Sequence, residues 1–183
     1  MRRAGSEEMP FPIIVATGPN GARPHAIPGD RQLASGDLVV LDFGARVRGY
    51  CSDMTRTVAI GEVSKEQRRL YGAVLEANEA GLSAVRSGIP CVDVDLAARE
   101  VLERHGLGAA FTHGVGHGVG LDIHEMPTVG PRSTESVREN AVITIEPGVY
   151  VENTAGVRIE DLVVVESSGH RRLTSAPKEL IQI

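Results

Sequence analysis

Residues 113–125 read HGVGHGVGLDIHE, and three of the chain's six histidines lie in this stretch, spaced by glycines. His113 and His117 are four apart, a spacing that on a helix would set both imidazoles on one face for a zinc ion. Gly114, Gly116, Gly118 and Gly120 oppose a helix, each at a cost of about 1 kcal/mol relative to alanine. The stretch reads instead as extended backbone that neighbouring chain and substrate can approach closely. The partners of its histidines must come from elsewhere.

Four acids in strand-like sequence are the candidates. Asp42 lies in DLVVLDFGA (37–45) and Asp53 in YCSDMTRTVAI (50–60), joined by RVRG, which suits a hairpin. With Val47 and Arg48 as the turn, 42 pairs with 53 and the carboxylates face each other with Cβ atoms about 5 Å apart. A bound cation relieves that clash; the alternative is a pair of solvated acids on an exposed face. Glu146 lies in NAVITIEPGVYVE (140–152) and Glu160 in GVRIEDLVVVE (156–166), both embedded in apolar strand sequence where a lone charge is costly. With His117 these make four carboxylates and one imidazole. Such an oxygen-rich set suits manganese, cobalt, zinc or iron better than a thiolate site would. Two divalent ions need about this many ligands, with bridging carboxylates holding them some 3.5–4 Å apart.

The elements that position these residues follow from pattern. Residues 8–36 are rich in Pro and Gly, with one short strand at FPIIVAT and otherwise turns and loop. A long amphipathic helix follows Ser64, whose capping box is completed by Gln67. Leu70, Val74, Leu75, Leu82 and Val85 form its apolar stripe, and Gly88 with Pro90 ends it. DVDLAAREVLERHG (93–106) reads as a second helix, capped by Asp93 and stopped by Gly106. The tail, LTSAPKELIQI, reads as a docked turn or strand. The order repeats: the second half runs long helix, short helix ending ERHG, histidine loop, carboxylate hairpin. The first half runs RRAG, a loop with His25, then a carboxylate hairpin, without the long helix and most of the short one. By that symmetry the back of the first hairpin lacks a cover, which calls for a partner subunit, a homo-oligomer, or a shortened chain.

Length and composition bound the rest. The 183 residues suit one domain, 42% of them hydrophobic and 23% charged, with a net charge of −5. No basic stripe is present, so nucleic acid and anionic membranes are poor partners. No apolar run approaches the roughly 18 residues of a membrane span, and MRRAGSEEMP lacks the apolar region of a secretory signal. Two cysteines, Cys51 and Cys91, are too few for a disulfide framework and point to a reducing cytoplasm. Cys51, close to Asp53, reads as a small buried apolar side chain. His105 reads as a complement to a helix dipole and His170 as a surface turn residue.

The order of segments GPNGARPHAIP, LDFGARVRGYCSDMTRT, THGVGHGVGLDIHE, ITIEPGVY and GVRIED resembles the pita-bread-fold metallopeptidases: methionine aminopeptidase, aminopeptidase P and prolidase. The resemblance spans most of the chain. It implies an α+β fold of two pseudo-symmetric halves, with a curved, mainly antiparallel sheet and outer helices, the first helix of the N-terminal half missing. Residues 1–183 are then one shortened catalytic domain. It implies that Asp42, Asp53, His117, Glu146 and Glu160 hold two divalent ions, manganese before cobalt, zinc or iron. It further implies that His25, His113 and His124 line the substrate pocket, with Glu146 moving a proton and His113 and His124 holding the reacting carbonyl. The Xaa-Pro branch fits best, because the GVRIED segment carries Arg158, which methionine aminopeptidases usually lack. Arg158 shares the ligand-facing side of its strand with Glu160, where it binds a substrate carboxylate or orients the ligands. The implied activity is cleavage between an N-terminal residue and proline. Alternatives are a methionine-aminopeptidase-like enzyme, a related hydrolase of non-peptide substrates, and a non-catalytic binding module. Two departures stand out: the separate N-terminal domain of the Xaa-Pro enzymes is absent, and Asn140 stands where relatives often have Gly, a position Asn can fill.

Overall fold

The structure, a computed structural model, describes residues 1–183. After a short 3-10 turn at Arg2–Ala4, Ile14–Thr17 (β1) pairs antiparallel with Leu38–Phe43 (β2). Arg46–Val47 (β3) and Tyr50–Cys51 (β4) form the tip of a hairpin whose return arm, Met54–Ala59 (β5), pairs with β2. The turn is Arg48–Gly49, with φ of 52° and 81°. Positive φ at both central positions is what a tight two-residue hairpin demands, and β-branched Val47 resists it. The expected turn at Val47–Arg48 is therefore wrong by one residue and the register by two. Asp42 faces Thr55, not Asp53. A shift of two preserves the face, so Asp42 and Asp53 remain diagonal neighbours.

Lys65–Ala84 (α1) starts at Ser64 with the capping box complete: the Ser64 side chain accepts from the Gln67 N–H and the Gln67 side chain accepts from the Ser64 N–H. Leu70, Val74, Leu82 and Val85 are buried, Leu75 partly so. Cys91–Arg104 (α2) begins two residues earlier than expected. Pro90 is its N-cap, and Asp93 lies in the first turn without capping it. Pro90 has no N–H to lose and a preset φ, so it serves at the helix entrance. The two helices pack on each other and over one shared core of 29 buried residues.

The second half is built on Gly116–Gly118 (β6), Glu125–Val129 (β7), Val142–Ile145 (β8), Gly148–Val151 (β9), Ala155–Arg158 (β10), Asp161–Glu166 (β11) and Gly169–Arg172 (β12). The spatial order is β12-β11-β8-β6-β7, and β9 pairs with β10 separately. The run β6-β8-β11 repeats the order β1-β2-β5, and the β9–β10 hairpin repeats β3–β4. The expected continuous strands 140–152 and 156–166 are each broken, the first at Glu146–Pro147 and the second at Ile159–Glu160. His170 lies within β12, paired with Val165, rather than in a turn. Asn140 has φ of 65°, the left-handed conformation foreseen for it.

The halves meet along β5 and β10. Thr57 Oγ1 donates to the Arg158 carbonyl and accepts from its N–H, while the Glu160 N–H donates to the Thr55 carbonyl. The tail docks as expected: Ala59 N–H donates to Ile181 O, and the Ile183 and Gly61 N–H groups donate to Ala59 O and Ile183 O. On the back of the first hairpin Val39 and Val58 are buried by the chain itself, contrary to a wholly uncovered face. Only the far end is open, where Val15 is exposed and Leu41, Phe43 and Met54 are partly so.

Candidate metal centre

Each carboxylate sits where a strand ends or breaks. Asp42 is the penultimate residue of β2, and Glu146 directly follows β8. Asp53 directly precedes β5, and Glu160 directly precedes β11. At such breaks the backbone leaves one sheet and the side chain is not consumed by packing within it. The freed carbonyls need partners. Asn78, fully buried on α1, donates through Nδ2 to Ile145 O (2.9 Å) and Ile159 O (3.2 Å), the residues immediately before Glu146 and Glu160. Its Oδ1 accepts from Lys178 Nζ at 2.8 Å. One side chain thus ties both breaks to the helix and the tail.

The histidine-glycine strand enters between β7 and β8. A Cβ on Gly116 would lie 2.0 Å from Thr144 O, and one on Gly118 would lie 2.3 Å from Met126 O. Those two glycines are what allow His117 so close to the carboxylates. His117 Nδ1 lies 3.0 Å from Gly118 O, which can only accept, so Nδ1 carries the proton and Nε2 points into the cluster. Nε2 is 3.2 Å from Glu146 Oε1 and 3.7 Å from Asp53 Oδ2. Thr144 Oγ1 accepts from the His117 N–H and donates to Glu146 Oε1.

All five expected ligands line one cavity of about 560 Å³, together with His25, His113, His124 and Arg158. Asp53, His117 and Glu160 offer ligand atoms within 4.8 Å of one another. Asp42 and Glu146 flank this trio. Burial, followed by the charges of Asp42 and Glu146, pushes the Asp53 carboxyl up to about 8. Burial, followed by Asp53, raises Glu160 well above the carboxylate range. Burial also works against ionised Glu146, but the His117 hydrogen bond and charge outweigh it and hold its pKa down. Asp42 Oδ1, Asp53 Oδ1 and Glu160 Oε1 are buried without any hydrogen-bond partner. Three carboxylate oxygens converging on one cavity without hydrogen-bond partners are unmet buried acceptors, and divalent cations would satisfy them. The donor set of carboxylate oxygens and one imidazole fits a hard or borderline ion.

Arg158 does not reach out for substrate. Its Nη2 lies 2.6 Å from Asp42 Oδ2, Nη1 donates to Tyr150 Oη (2.8 Å) and Pro24 O (3.3 Å), and Nε donates to Thr55 Oγ1 (3.1 Å). Of the two roles considered for it, orienting a ligand is the one its contacts support. Tyr150 in turn lies 2.9 Å from His113 Nε2, while His113 Nδ1 faces Gly114 O at 2.8 Å. Gly114 O can only accept, so Nδ1 donates and Nε2 accepts from the Tyr150 hydroxyl. Both ring nitrogens of His113 are committed, so it has no N–H free for a reacting carbonyl. His124, whose ring stands 4.4 Å from that of His117, and His25 are exposed in the cavity. Cys51 is buried against Val119 and Leu162, as expected for a packing residue.

Sequence reasoning missed Asn78, Tyr150, Thr55 and Thr144. Asn78 had a visible signal, an amide four residues beyond Val74 on the apolar stripe. Thr55 lies two residues beyond Asp53 and donates to Glu160 Oε2 at 2.7 Å, a contact across 105 residues that no local pattern carries.

The model of metallopeptidase family M24 matches residues 1–167. The Xaa-Pro dipeptidase of Pyrococcus furiosus is 41% identical over 181 residues, 99% of this chain and 52% of the relative. The solved Xaa-Pro dipeptidase from Bacillus anthracis superposes with a TM-score of 0.97 at 41% identity, covering 100% of this chain and 51% of that one. The X-Pro aminopeptidase from Thermotoga maritima gives 0.96 at 40% identity, covering 100% and 52%. The chain spans about half the length of the relatives it matches. With the pita-bread architecture and the family match in agreement, the chain belongs to metallopeptidase family M24, on the side of its Xaa-Pro peptidases.

Proposed function

We propose that this chain carries a metal-dependent peptidase that cleaves the bond between an N-terminal residue and proline. The observation behind the reading is the convergence of four carboxylates and His117 on one cavity with three carboxylate oxygens unpartnered. It is supported by relatives described as Xaa-Pro dipeptidases and an X-Pro aminopeptidase. Asp42, Asp53, His117, Glu146 and Glu160 would hold two divalent ions, manganese first and cobalt, zinc or iron as alternatives. Ions held there supply Lewis-acid activation of water and of the scissile carbonyl.

The chain's own residues do the rest. Glu146 accepts from Thr144 Oγ1 at Oε1, and as a ligand of the ions it would be held ionised. Oε2 is left to take a proton and pass it to the leaving nitrogen. The carboxylate-rich end attracts the substrate's α-ammonium. His124 and His25 stand at the cavity wall to hold the carbonyl, while Arg158, Tyr150 and His113 form a relay that fixes Asp42. An apolar side built by Phe11, Ile14 and Ala26, with Ile27 at its exposed rim, suits the proline ring.

The test is an assay of the purified 183-residue chain with added Mn²⁺, Co²⁺, Zn²⁺ or Fe²⁺ on Ala-Pro peptides beside Met-Ala peptides. Hydrolysis of the Ala-Pro bond well above the Met-Ala bond, abolished by Asp53→Asn, is expected. Preferential release of methionine would move the chain to the sister branch of the family. Metal binding without any turnover would favour a binding module.

A further inference from the structure

Glu160 is the least exposed of the expected ligands, and neither of its neighbours in sequence lines the cavity. Both neighbours are gripped from behind. Ile159 O accepts from Asn78 Nδ2 at 3.2 Å, and Asn78 Oδ1 accepts from Lys178 Nζ at 2.8 Å. Asp161, fully buried, accepts from Arg56 Nη2 at Oδ1 (2.7 Å), and its Oδ2 lies 3.1 Å from the same Lys178 Nζ. Glu79 Oε1 is the third partner of that ammonium. These acceptors match its three N–H groups. One side chain thus reaches the residue before Glu160 through Asn78 and the residue after it directly. The backbone that carries Lys178 is fixed too. Its own carbonyl accepts from Tyr71 Oη at 2.9 Å, and those of Ala176 and Pro177 accept from Arg56 at 2.9 and 3.0 Å.

An ammonium can only donate. Lys178 therefore decides which way the Asn78 amide faces: its oxygen toward the tail, its nitrogen toward the carbonyls of Ile145 and Ile159. Without the ammonium, the amide is free to turn over and set its oxygen against those carbonyls. The Lys178 side chain is nine-tenths buried, where a charge is costly unless paired. Folding alone does not call for it, since apolar replacements of buried ion pairs are often neutral for stability. Its loss would strand no lone buried charge, because Asp161 keeps Arg56 and Glu79 is more than half exposed. What is lost is the fixed backbone on either side of one carboxylate. Resting on the reading of this cavity as a metal centre, we propose that Lys178 is a positioning residue. Its ammonium, acting through Asn78 and Asp161, sets the direction in which Glu160 presents its carboxylate to the ions.

The experiment titrates the chelator-treated chain with Mn²⁺ in a calorimeter, with Tm measured beside it. Lys178→Met keeps the reach of the side chain without its charge. At a temperature where this variant is fully folded, it should bind Mn²⁺ at least about 10-fold more weakly. The chain lacking residues 181–183 is the control for a merely structural anchor: it loses stability through the same tail but keeps Lys178. Its affinity should stay within about 3-fold of the unaltered chain's. The visible absorption of bound Co²⁺, which follows ligand geometry, should shift in Lys178→Met and not in the control. Lys178→Cys treated with 2-bromoethylamine rebuilds an ammonium at the same reach and should recover both affinity and spectrum. The same treatment of the unaltered chain accounts for Cys51 and Cys91, both buried. Where Lys178→Met does not fold, Lys178→Gln, which can still donate to Asn78 but loses the charge that pairs with Asp161, is read by the same criteria. Unchanged affinity and spectrum in the folded variant overturn the proposal. So does a loss of affinity that the control matches at equal loss of Tm. None of these readings needs turnover. An unaltered chain that binds Mn²⁺ yet leaves Ala-Pro peptides intact overturns the peptidase reading alone, and one that binds no divalent ion overturns both.

Discussion

Arg158 Nη2 lies 2.6 Å from Asp42 Oδ2, and the same guanidinium holds the Tyr150 hydroxyl at 2.8 Å. A cation placed behind a carboxylate leaves one oxygen fixed and turns the other, Asp42 Oδ1, which has no partner, toward the cavity. Outer contacts of this kind orient ligands and tune their basicity. Arg158→Lys keeps the charge but loses the fork that serves Asp42, Tyr150 and Thr55 together. We expect it to lower kcat/KM at least about 10-fold, near 1.4 kcal/mol, with bound metal reduced as measured by elemental analysis. Tyr150→Phe removes the donor to His113 and one acceptor of Arg158 but leaves the Arg158–Asp42 contact, so it should lower activity with metal content kept. Equal metal content in both variants would show that Arg158 acts on substrate instead.

The raised Asp53 carboxyl gives a pH dependence to the metal-free chain. Its ordinary value is 3.8 and its folded value about 8. A group raised on folding favours the fold fully below 3.8, and that contribution is lost as pH rises through about 8. Chelator-treated protein should therefore lose stability from pH 5 to pH 8, on the order of 2 kcal/mol or about 5 °C in Tm. Added Mn²⁺ should reverse the loss at pH 8, and Asp53→Asn should reduce the slope, with the raised Glu160 carboxyl contributing the remainder. A chelated chain whose Tm is level across this range would exclude the effect.

Asn78 joins the helix to both strand breaks. Asn78→Ala leaves the carbonyls of Ile145 and Ile159 without a donor and Lys178 without Asn78 Oδ1. The cost of such unmet buried groups is about 1–3 kcal/mol each, and denaturant unfolding should register a loss of at least about 2 kcal/mol. Glu146 and Glu160, no longer anchored, should bind metal at least about 10-fold more weakly. Asn78→Asp keeps an acceptor for Lys178 but not the donor. Full metal affinity in that variant would mean that Lys178, not the two carbonyls, sets the geometry.

The ligands were legible in the sequence because charges inside apolar strands have few uses. Glu146 and Glu160 stand in ITIE and VRIED, and His117 sits in a strand whose glycines admit close neighbours. Strand breaks were not legible, because the same apolar run serves a continuous strand or two strands in different sheets. Pro147 was the one local mark. The hairpin register depended on which two residues could hold positive φ, and Gly49 decided it where composition alone could not. The repeat was read from element order, and the matching strand orders β1-β2-β5 and β6-β8-β11 bear it out. The relay from Arg158 through Tyr150 to His113 joins residues whose roles depend on hydrogen-bond geometry, and the sequence offered only His113 and Arg158 as separate candidates.

The tail supplies the outer edge of the first sheet. Ile181 O and Ile183 O accept from the Ala59 and Gly61 N–H groups, and the Ile183 N–H donates to Ala59 O. Arg56 of the same strand donates to Pro177 O and Ala176 O, and pairs with buried Asp161, next to Glu160. Deleting residues 181–183 exposes β5 as an open edge and removes three backbone hydrogen bonds, each worth about 0.5–1.5 kcal/mol net. For a chain of this size that amounts to a drop in Tm of roughly 4–12 °C. Because Arg56 and Asp161 are left in place, metal affinity should change less than in Asn78→Ala. A deletion that lowers metal affinity more than it lowers Tm would show that the tail holds Glu160 directly, through β5, rather than merely closing the sheet.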